Sequence, residues 1–339
     1  MNNKMSAKDF NSLLTVSPSP HIKHSDTTTS IMLTVILALV PALIWSVVVF
    51  GFRSLTITLV SVFSCVLMEY LYQLIMKKPV TVLDFSAAVT GVLLAFNLPV
   101  TVPLWIVPIG AFFAIVIVKQ LFGGIGKNIV NPALAARVFM FSWTNHMSTF
   151  SKPGATTSAF KIMLPASEID AIASATPLAS LKEGILPDVS LLDMFIGYRA
   201  GCIGEISVLL ILAGGLALLI KRVITWHIPV AYIGTVFVVS LLAAPAGLKP
   251  IDFALYQILS GGLFIGAFFM ATDYATSPVT RSGRIIFGVG CGLITVFIRF
   301  FGGYSEGVSF SILIMNLLVW YIDRLTKPVK FGGRSNAGK

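Results

Sequence analysis

Leu121-Phe122-Gly123-Gly124-Ile125 returns 179 residues later as Phe300-Phe301-Gly302-Gly303-Tyr304. At the same offset of 179, Phe96-Asn97-Leu98-Pro99-Val100-Thr101 aligns with Ala275-Thr276-Ser277-Pro278-Val279-Thr280. Two matches in one register indicate an internal duplication. Around these anchors the chain is a series of apolar runs. Ile31 to Phe52, Leu55 to Met76, Pro103 to Phe122, Ile203 to Ile220, Ile228 to Ala244, Ile285 to Phe301 and Ser309 to Ile322 are candidate spans, read against the roughly 20 residues a membrane-crossing helix needs. Phe85 to Leu98 and Ile129 to Trp143 are apolar for only about 14 residues, which suits re-entrant or broken helices. Phe253 to Thr272 is long but ends in the polar cluster Thr272-Asp273-Tyr274. The expectation is an all-α polytopic membrane protein of about ten helical segments. The offset carries the first span onto the sixth, so the segments divide five plus five, and an odd number per half turns the second half upside down. Such inverted repeats place broken helices near the bilayer midplane, where freed backbone groups line a cavity instead of facing lipid. Pro99 and Pro278 mark the two expected breaks.

Composition agrees. Of 339 residues 56% are hydrophobic and 11% charged, against about 25% charged in soluble domains. The first apolar run begins at Ile31, after a polar stretch with no basic-then-apolar signal and no small-residue cleavage pattern, so it reads as a retained span and not a leader. The net charge of +10 is spread over short loops and the C-terminal tail, where membrane topology places it, and gives no reason to expect nucleic acid. Cys65, Cys202 and Cys291 are far apart and unpaired in sequence, which argues against an iron–sulfur or zinc site built by this chain alone. With the N-terminus inside, 16 Lys and Arg fall on the cytoplasmic side and 7 on the other: Arg53, Lys152, Lys161, Lys182, Arg199, Lys249 and Arg299. The resulting plan is a cytoplasmic segment 1–30, a first membrane repeat 31–143, an extracytoplasmic loop 144–201, a second repeat 202–322 and a basic cytoplasmic tail 323–339.

Soluble-enzyme motifs are missing: no Gly-x-Gly-x-x-Gly opening a helix, no Walker loop, no His-Glu-x-x-His. His21, His24, His146 and His227 lie outside the apolar cores or at their edges. Glu69, Asp84, Arg137 and Asp273 fall within apolar segments, where a charge costs about 2.5–3.5 kcal/mol on insertion scales. Structural pairing is the default for each, and Asp84 suits a helix N-cap. Asp273 stands out because Thr272, Thr276 and Ser277 surround it with oxygen groups suited to a cation. With Asn97, these form a candidate ion pathway. Gly123, Gly124, Gly302 and Gly303 have two readings, close helix packing or sharp turning and a flavin ring lying against bare backbone. In the long loop, Ala175-Thr176-Pro177-Leu178 is four common residues, with Pro177 pushing Thr176 into an extended backbone.

These residues resemble a known family: the RnfD membrane component of Rnf ferredoxin:NAD oxidoreductase complexes, related to the NqrB component of the sodium-pumping NADH:quinone oxidoreductase. The resemblance runs through Ser19-Pro20-His21-Ile22-Lys23, Gly123-Gly124-Ile125-Gly126-Lys127-Asn128 with Asn131-Pro132-Ala133, Met270-Ala271-Thr272-Asp273, Gly302-Gly303-Tyr304 with Gly307-Val308-Ser309-Phe310-Ser311, and the tract around Thr176. It implies FMN esterified through its phosphate to Thr176 by a flavin transferase that reads a pattern close to Asp-Gly-x-Ser/Thr-Gly-Ala-Thr. Asp170 and Ala175 match that pattern, whereas Ala171 and Ser174 replace its glycines and Ala173 its Ser/Thr. Asp170, Ser174, Ala175 and Pro177 would then be the recognition context. The same resemblance implies a urea-channel-like core, a riboflavin in that core by analogy with the quinone-reducing relatives, and relay of electrons between ferredoxin and NAD coupled to Na⁺ or H⁺ movement. Implied partners are a membrane-anchored FMN subunit, iron–sulfur subunits and a cytoplasmic NAD-handling subunit. The competing expectations are a cofactor-free solute channel, which the inverted repeat alone would support, and the quinone-reductase component itself.

Overall fold

The computed structural model describes residues 26–155, 159–304 and 306–328; Ser19 to Lys23, most of the N-terminal segment and the end of the tail lie outside them. Among the described residues, four helices are long and apolar enough to cross a membrane: α1 (Thr28–Phe50), α2 (Phe52–Ile75), α13 (Arg281–Phe301) and α14 (Val308–Leu325). Between them lie shorter apolar helices: α3 (Ser86–Phe96), α4 (Ile106–Gln120), α5 (Pro132–Met140), α9 (Val208–Ile220) and α10 (His227–Leu242). A pair, α11 (Pro250–Leu259) and α12 (Leu263–Met270), is bent by 63° at its break. The protein is an all-α polytopic membrane protein.

Local sequence explains where several helices begin. Asn131 caps α5 by accepting from the Ala133 and Leu134 N–H groups at 3.0 and 3.3 Å, with Pro132 in the first turn where no N–H is missed. Ser207 and Thr280 do the same for α9 and α13. Asp84 accepts from the Ser86 N–H at 2.8 Å just ahead of α3, the cap-like role its position suggests. α4 and α12 both end in π-helical turns, Phe113–Gln120 and Gly266–Met270, a geometry that gathers at functional sites.

The halves are related as the offset implies. Shifting α1, α4 and α5 by 179 residues lands on α9, α13 and α14, and counterpart helices run antiparallel. Thr28, at the start of α1, lines one cavity with Val223 and Ile224, just past the end of α9; further along, a Cβ on Gly214 of α9 would stand 2.4 Å from the Ala38 carbonyl oxygen of α1. For α5 and α14, the Asn131 N–H donates to Asn316 Oδ1 at 3.2 Å, while past the other end of α5 the Phe141 ring stacks on Phe310, 5.9 Å between centroids.

Two boundaries differ from the sequence reading. The span read from Ile203 becomes helical only at Val208. The break in the second half lies at Ser260–Gly261–Gly262, not at Pro278, which sits in the turn between α12 and α13. Gly261 has φ of +66°, a conformation that costs other residues about 1–2 kcal/mol, so the chain turns there without needing proline.

Residues 144–201 fold as a cap with a two-stranded ribbon, β1 (Phe150–Ser151) against β2 (Ala173–Ser174), and short helices α6 (Ala166–Ile172), α7 (Pro177–Lys182) and α8 (Leu191–Ile196). α7 is anchored by Leu178 and Leu181, buried against Phe253 of α11, and by Lys182, whose Nζ donates to the Gly302 carbonyl at 2.6 Å.

Candidate functional site

Thr176 links β2 to α7. Its backbone is extended, φ −80° and ψ 153°, and its side chain makes no capping bond to the helix it precedes. It is half-buried and, with Phe150, Pro177, Leu178, Arg199, Ala200, Glu205, Gly261 and Glu306, lines a small pocket of about 20 Å³. Ser174 is half-buried and Ala175 exposed; Asp170 lies on α6, six residues before Thr176.

Beneath Thr176 the pocket meets a buried charge cluster. Arg137 of α5 donates through Nη2 to Glu306 Oε2 at 2.5 Å and to Glu205 Oε1 at 3.4 Å, and through Nη1 to Asn97 Oδ1 at 2.7 Å. Glu306 also accepts the Gly262 N–H at 2.7 Å. Arg199 donates to the Leu259 and Glu205 carbonyls, and Arg299 to the Gln257 and Ser260 carbonyls at 2.6 and 3.1 Å. Those carbonyls of α11 and Ser260 lie in the helix's last turn, which has no helical partners because the helix breaks there. Arg53 plays the same part for the first half: its guanidinium donates to the Val100 and Val102 carbonyls at 2.8 and 3.0 Å, in the turn after Asn97. Arginines therefore satisfy the end of the broken helix α11 and the turn beyond α3.

The two carboxylates are unequal. Burial acts to raise Glu306, but Arg137 and the Gly262 N–H outweigh it and hold its carboxyl below the ordinary value. Glu205, with the longer contacts, is pushed up to about 7 by burial, and Glu306 beside it adds in the same direction. Three guanidinium groups face two carboxylates, so the cluster carries surplus positive charge.

The opposite end holds a larger cavity of about 350 Å³, lined by aromatic and aliphatic groups including Phe268 and Phe269 and by Thr90, Lys119, Asn128, Asn131, Thr272 and Asp273. Its volume and mixed lining are those of a small-molecule site. Asp273 accepts from Thr276 Oγ1 at 3.1 Å, while the Thr272 hydroxyl is spent on the Phe268 carbonyl at 2.6 Å. Lys119 pairs with Glu69 at 2.9 Å and donates to Ser86 Oγ, and Gln120 donates to the same carboxylate, so Glu69 is a paired structural charge.

Asn97 belongs to neither cavity but stands between them. Its Nδ2 donates to Met270 Sδ at 3.6 Å, and the Met270 carbonyl accepts from Asn131 Nδ2 at 3.3 Å. A polar line thus runs from Asn131 through Met270 and Asn97 to Arg137, with the thioether in its middle. Of the four glycines singled out, Gly302 and Gly303 lie at the Thr176 end, tied through their carbonyls to Lys182. Gly123 and Gly124 lie just past α4, where their N–H groups cap the Gln120 and Lys119 carbonyls, at the far end. Glu205, Glu306, Arg199 and Arg299 are not singled out by the sequence analysis: Arg199 and Glu306 sit in loops, where a charge ordinarily implies solvent, and Glu205 and Arg299 fall near the ends of candidate spans, where a long side chain ordinarily reaches water.

The fold and the cluster define a class: a membrane protein built from two inverted halves, with a charged site roofed by a loop at one end and a ligand-sized cavity at the other. Residues 15–332 match the family model described as the NQR2, RnfD, RnfE family, and the chain belongs to that family. It is 50% identical over 323 residues to the D subunit of the Na(+)-translocating ferredoxin:NAD(+) oxidoreductase complex of Acetobacterium woodii, covering 94% of this chain and 95% of that one. It is 42% identical to the D subunit of the proton-translocating ferredoxin:NAD(+) oxidoreductase complex of Clostridium ljungdahlii, covering 95% and 97%. It is 39% identical to the D subunit of the ion-translocating oxidoreductase complex of Stutzerimonas stutzeri, covering 91% and 93%.

Proposed function

We propose that this chain is the membrane flavoprotein subunit of an ion-translocating ferredoxin:NAD oxidoreductase complex, carrying FMN as a phosphoester on Thr176. The observation that carries the reading is the placement of Thr176: a hydroxyl not used by its helix, on extended backbone, at the mouth of a pocket backed by surplus positive charge. Those residues fit the group. Extended backbone in an accessible loop is what a transferase needs, and the surplus of guanidinium over carboxylate suits a phosphodiester anion. The flavin supplies electron exchange; the chain positions it and sets its electrostatic surroundings.

The Thr176 end faces away from the cytoplasm on this reading. Support comes from the arginines: Arg53, Arg199 and Arg299, three of the seven cations assigned to that side, are buried and bonded to backbone carbonyls, so they do not count as loop charges in the orientation rule. A second flavin, riboflavin, fits the 350 Å³ cavity at the cytoplasmic end by volume and by its amide, hydroxyl and aromatic lining. The two cavities share no lining residue, which favours electron relay between sites over an open solute channel. Partners are the other subunits of the complex, including a membrane-anchored flavoprotein, iron–sulfur subunits and an NAD-handling cytoplasmic subunit, with a flavin transferase for maturation.

Purified from its native host and denatured, the chain should give a fluorescent band and a peptide spanning Thr176 heavier by one FMN minus water. Thr176→Ala should abolish both while the protein still inserts and folds. An unmodified wild-type peptide overturns the assignment.

A further inference from the structure

Arg137 is one cation between two buried carboxylates, and the carboxylates are bound unequally. Glu306 holds the short contacts, 2.5 Å to Arg137 and 2.7 Å from the Gly262 N–H, whereas Glu205 has only 3.4 Å contacts to the same guanidinium. Both oxygens crowd one point: a Cβ built on Gly262 would stand 2.7 Å from Glu306 Oε1 and 3.0 Å from Glu205 Oε1. Two carboxylates so close do not both ionise at ordinary pH, and the proton goes to the one with the weaker partners. Other charges facing Glu205 are Arg199, from its own segment, and Arg299, from α13; Arg199 spends its bonds on carbonyls, one of them the backbone of Glu205 itself. Glu205 is 8% exposed and lines the 20 Å³ pocket with Thr176, room for about one water. One water-sized space is therefore shared by Glu205 and Thr176.

We propose that Glu205 is a proton-exchanging site coupled to the redox state of the group on Thr176: when that group gains an electron from the complex, the Glu205 carboxylate takes a proton from water at the Thr176 end, and returns it on reoxidation. The electron comes from the ferredoxin:NAD reaction and the proton from solvent, so charge balances at each turnover. Glu306 and Arg137 are positioning residues that keep one carboxyl fixed and leave the other labile. This rests on the reading of Thr176 as flavin-bearing.

The sign follows from the resting state. Burial and the neighbouring Glu306 push the Glu205 carboxyl up to about 7, and added negative charge nearby raises it further. Below about pH 7 the acid form is present in both redox states and no proton is exchanged; above it, until the raised value is passed, reduction is accompanied by uptake.

The test uses the full-length chain with its covalent flavin, loading checked first by mass. Reduced-minus-oxidised infrared spectra should show a protonated-carboxyl carbonyl band appearing on reduction above about pH 7. The band should be lost in Glu205→Gln, and with it the extra pH dependence of the flavin potential. A loaded wild type without that band overturns the proposal whether or not the variant folds, as does a band that persists in Glu205→Gln. An unloaded Thr176 overturns the flavin reading first, and this one with it.

Discussion

Arg137 and Asn316 occupy the same place in the two halves, 179 residues apart, and so do Asn97 and Thr276. The contact between them is repeated as well: Arg137 Nη1 donates to Asn97 Oδ1 at 2.7 Å, and Asn316 Nδ2 donates to the Thr276 carbonyl at 2.8 Å. The scaffold is symmetric, and the chemistry grafted on it is not. In the first half the donor is a permanent charge, and it draws in Glu205 and Glu306 from two loops. In the second half it is a neutral amide, bonded to the backbone of the turn that carries Asp273. Duplication supplies the crossing of broken helices; at this one place the first half holds a cation bonded to two carboxylates and the second a neutral amide bonded to backbone.

The strongest way to break this contrast is to make the halves alike. Arg137→Asn leaves two buried carboxylates without their shared cation, and removal of one partner from a buried ionic cluster costs about 3–5 kcal/mol. A large fall in the thermal unfolding midpoint in detergent is expected, together with poor loading of the flavin proposed at Thr176, which lines one pocket with Glu205 and Glu306. Unchanged stability would show that Arg137 does not hold the cluster.

Asn316→Leu is the matching change in the second half. It strips acceptor and donor from the Asn131 N–H and the Thr276 carbonyl, about 1–3 kcal/mol for buried polar groups left unpaired. The loss should be smaller than for Arg137 and should leave untouched the covalent flavin proposed at Thr176. Equal losses in the two variants, measured in the same detergent, would mean that charge plays no special part.

Much of this architecture is legible without coordinates. The repeated Pro-Val-Thr and Gly-Gly anchors imply the inverted halves, and the counterpart helices do run antiparallel. Arg137 and Glu69 stand out as charges in apolar segments, and both are paired. Glu306 does not, because a carboxylate next to glycines in a loop gives no sign of burial until residues 144–201 fold down as a roof, and Glu205, close to the start of a candidate span, reads as an edge charge although the helix begins only at Val208. The second break escapes a reading centred on Pro278 for a related reason. The carbonyls freed at Ser260 and Gln257 are satisfied by Arg299, some 40 residues away, and distant donors leave no local signal.

The repeated glycine pair gives the finest comparison. Gly123 and Gly124 have φ of +116° and +92°, while Gly302 and Gly303 have no positive φ. The same two letters are thus needed for different reasons. Gly124→Ala should cost about 1–2 kcal/mol through backbone strain. Gly302→Ala would bring a Cβ to 2.5 Å of the Ile298 carbonyl oxygen, but a Cβ on Gly303 meets nothing within 4 Å. Gly303→Ala should therefore change stability by less than about 0.5 kcal/mol, the smallest effect of the series. That neutrality makes it a clean probe of what covers the position. If the flavin on Thr176 lies against this bare backbone, an added methyl will shift its fluorescence or potential while unfolding stays the same. If both are unchanged, Gly303 is only part of the turn that Lys182 holds.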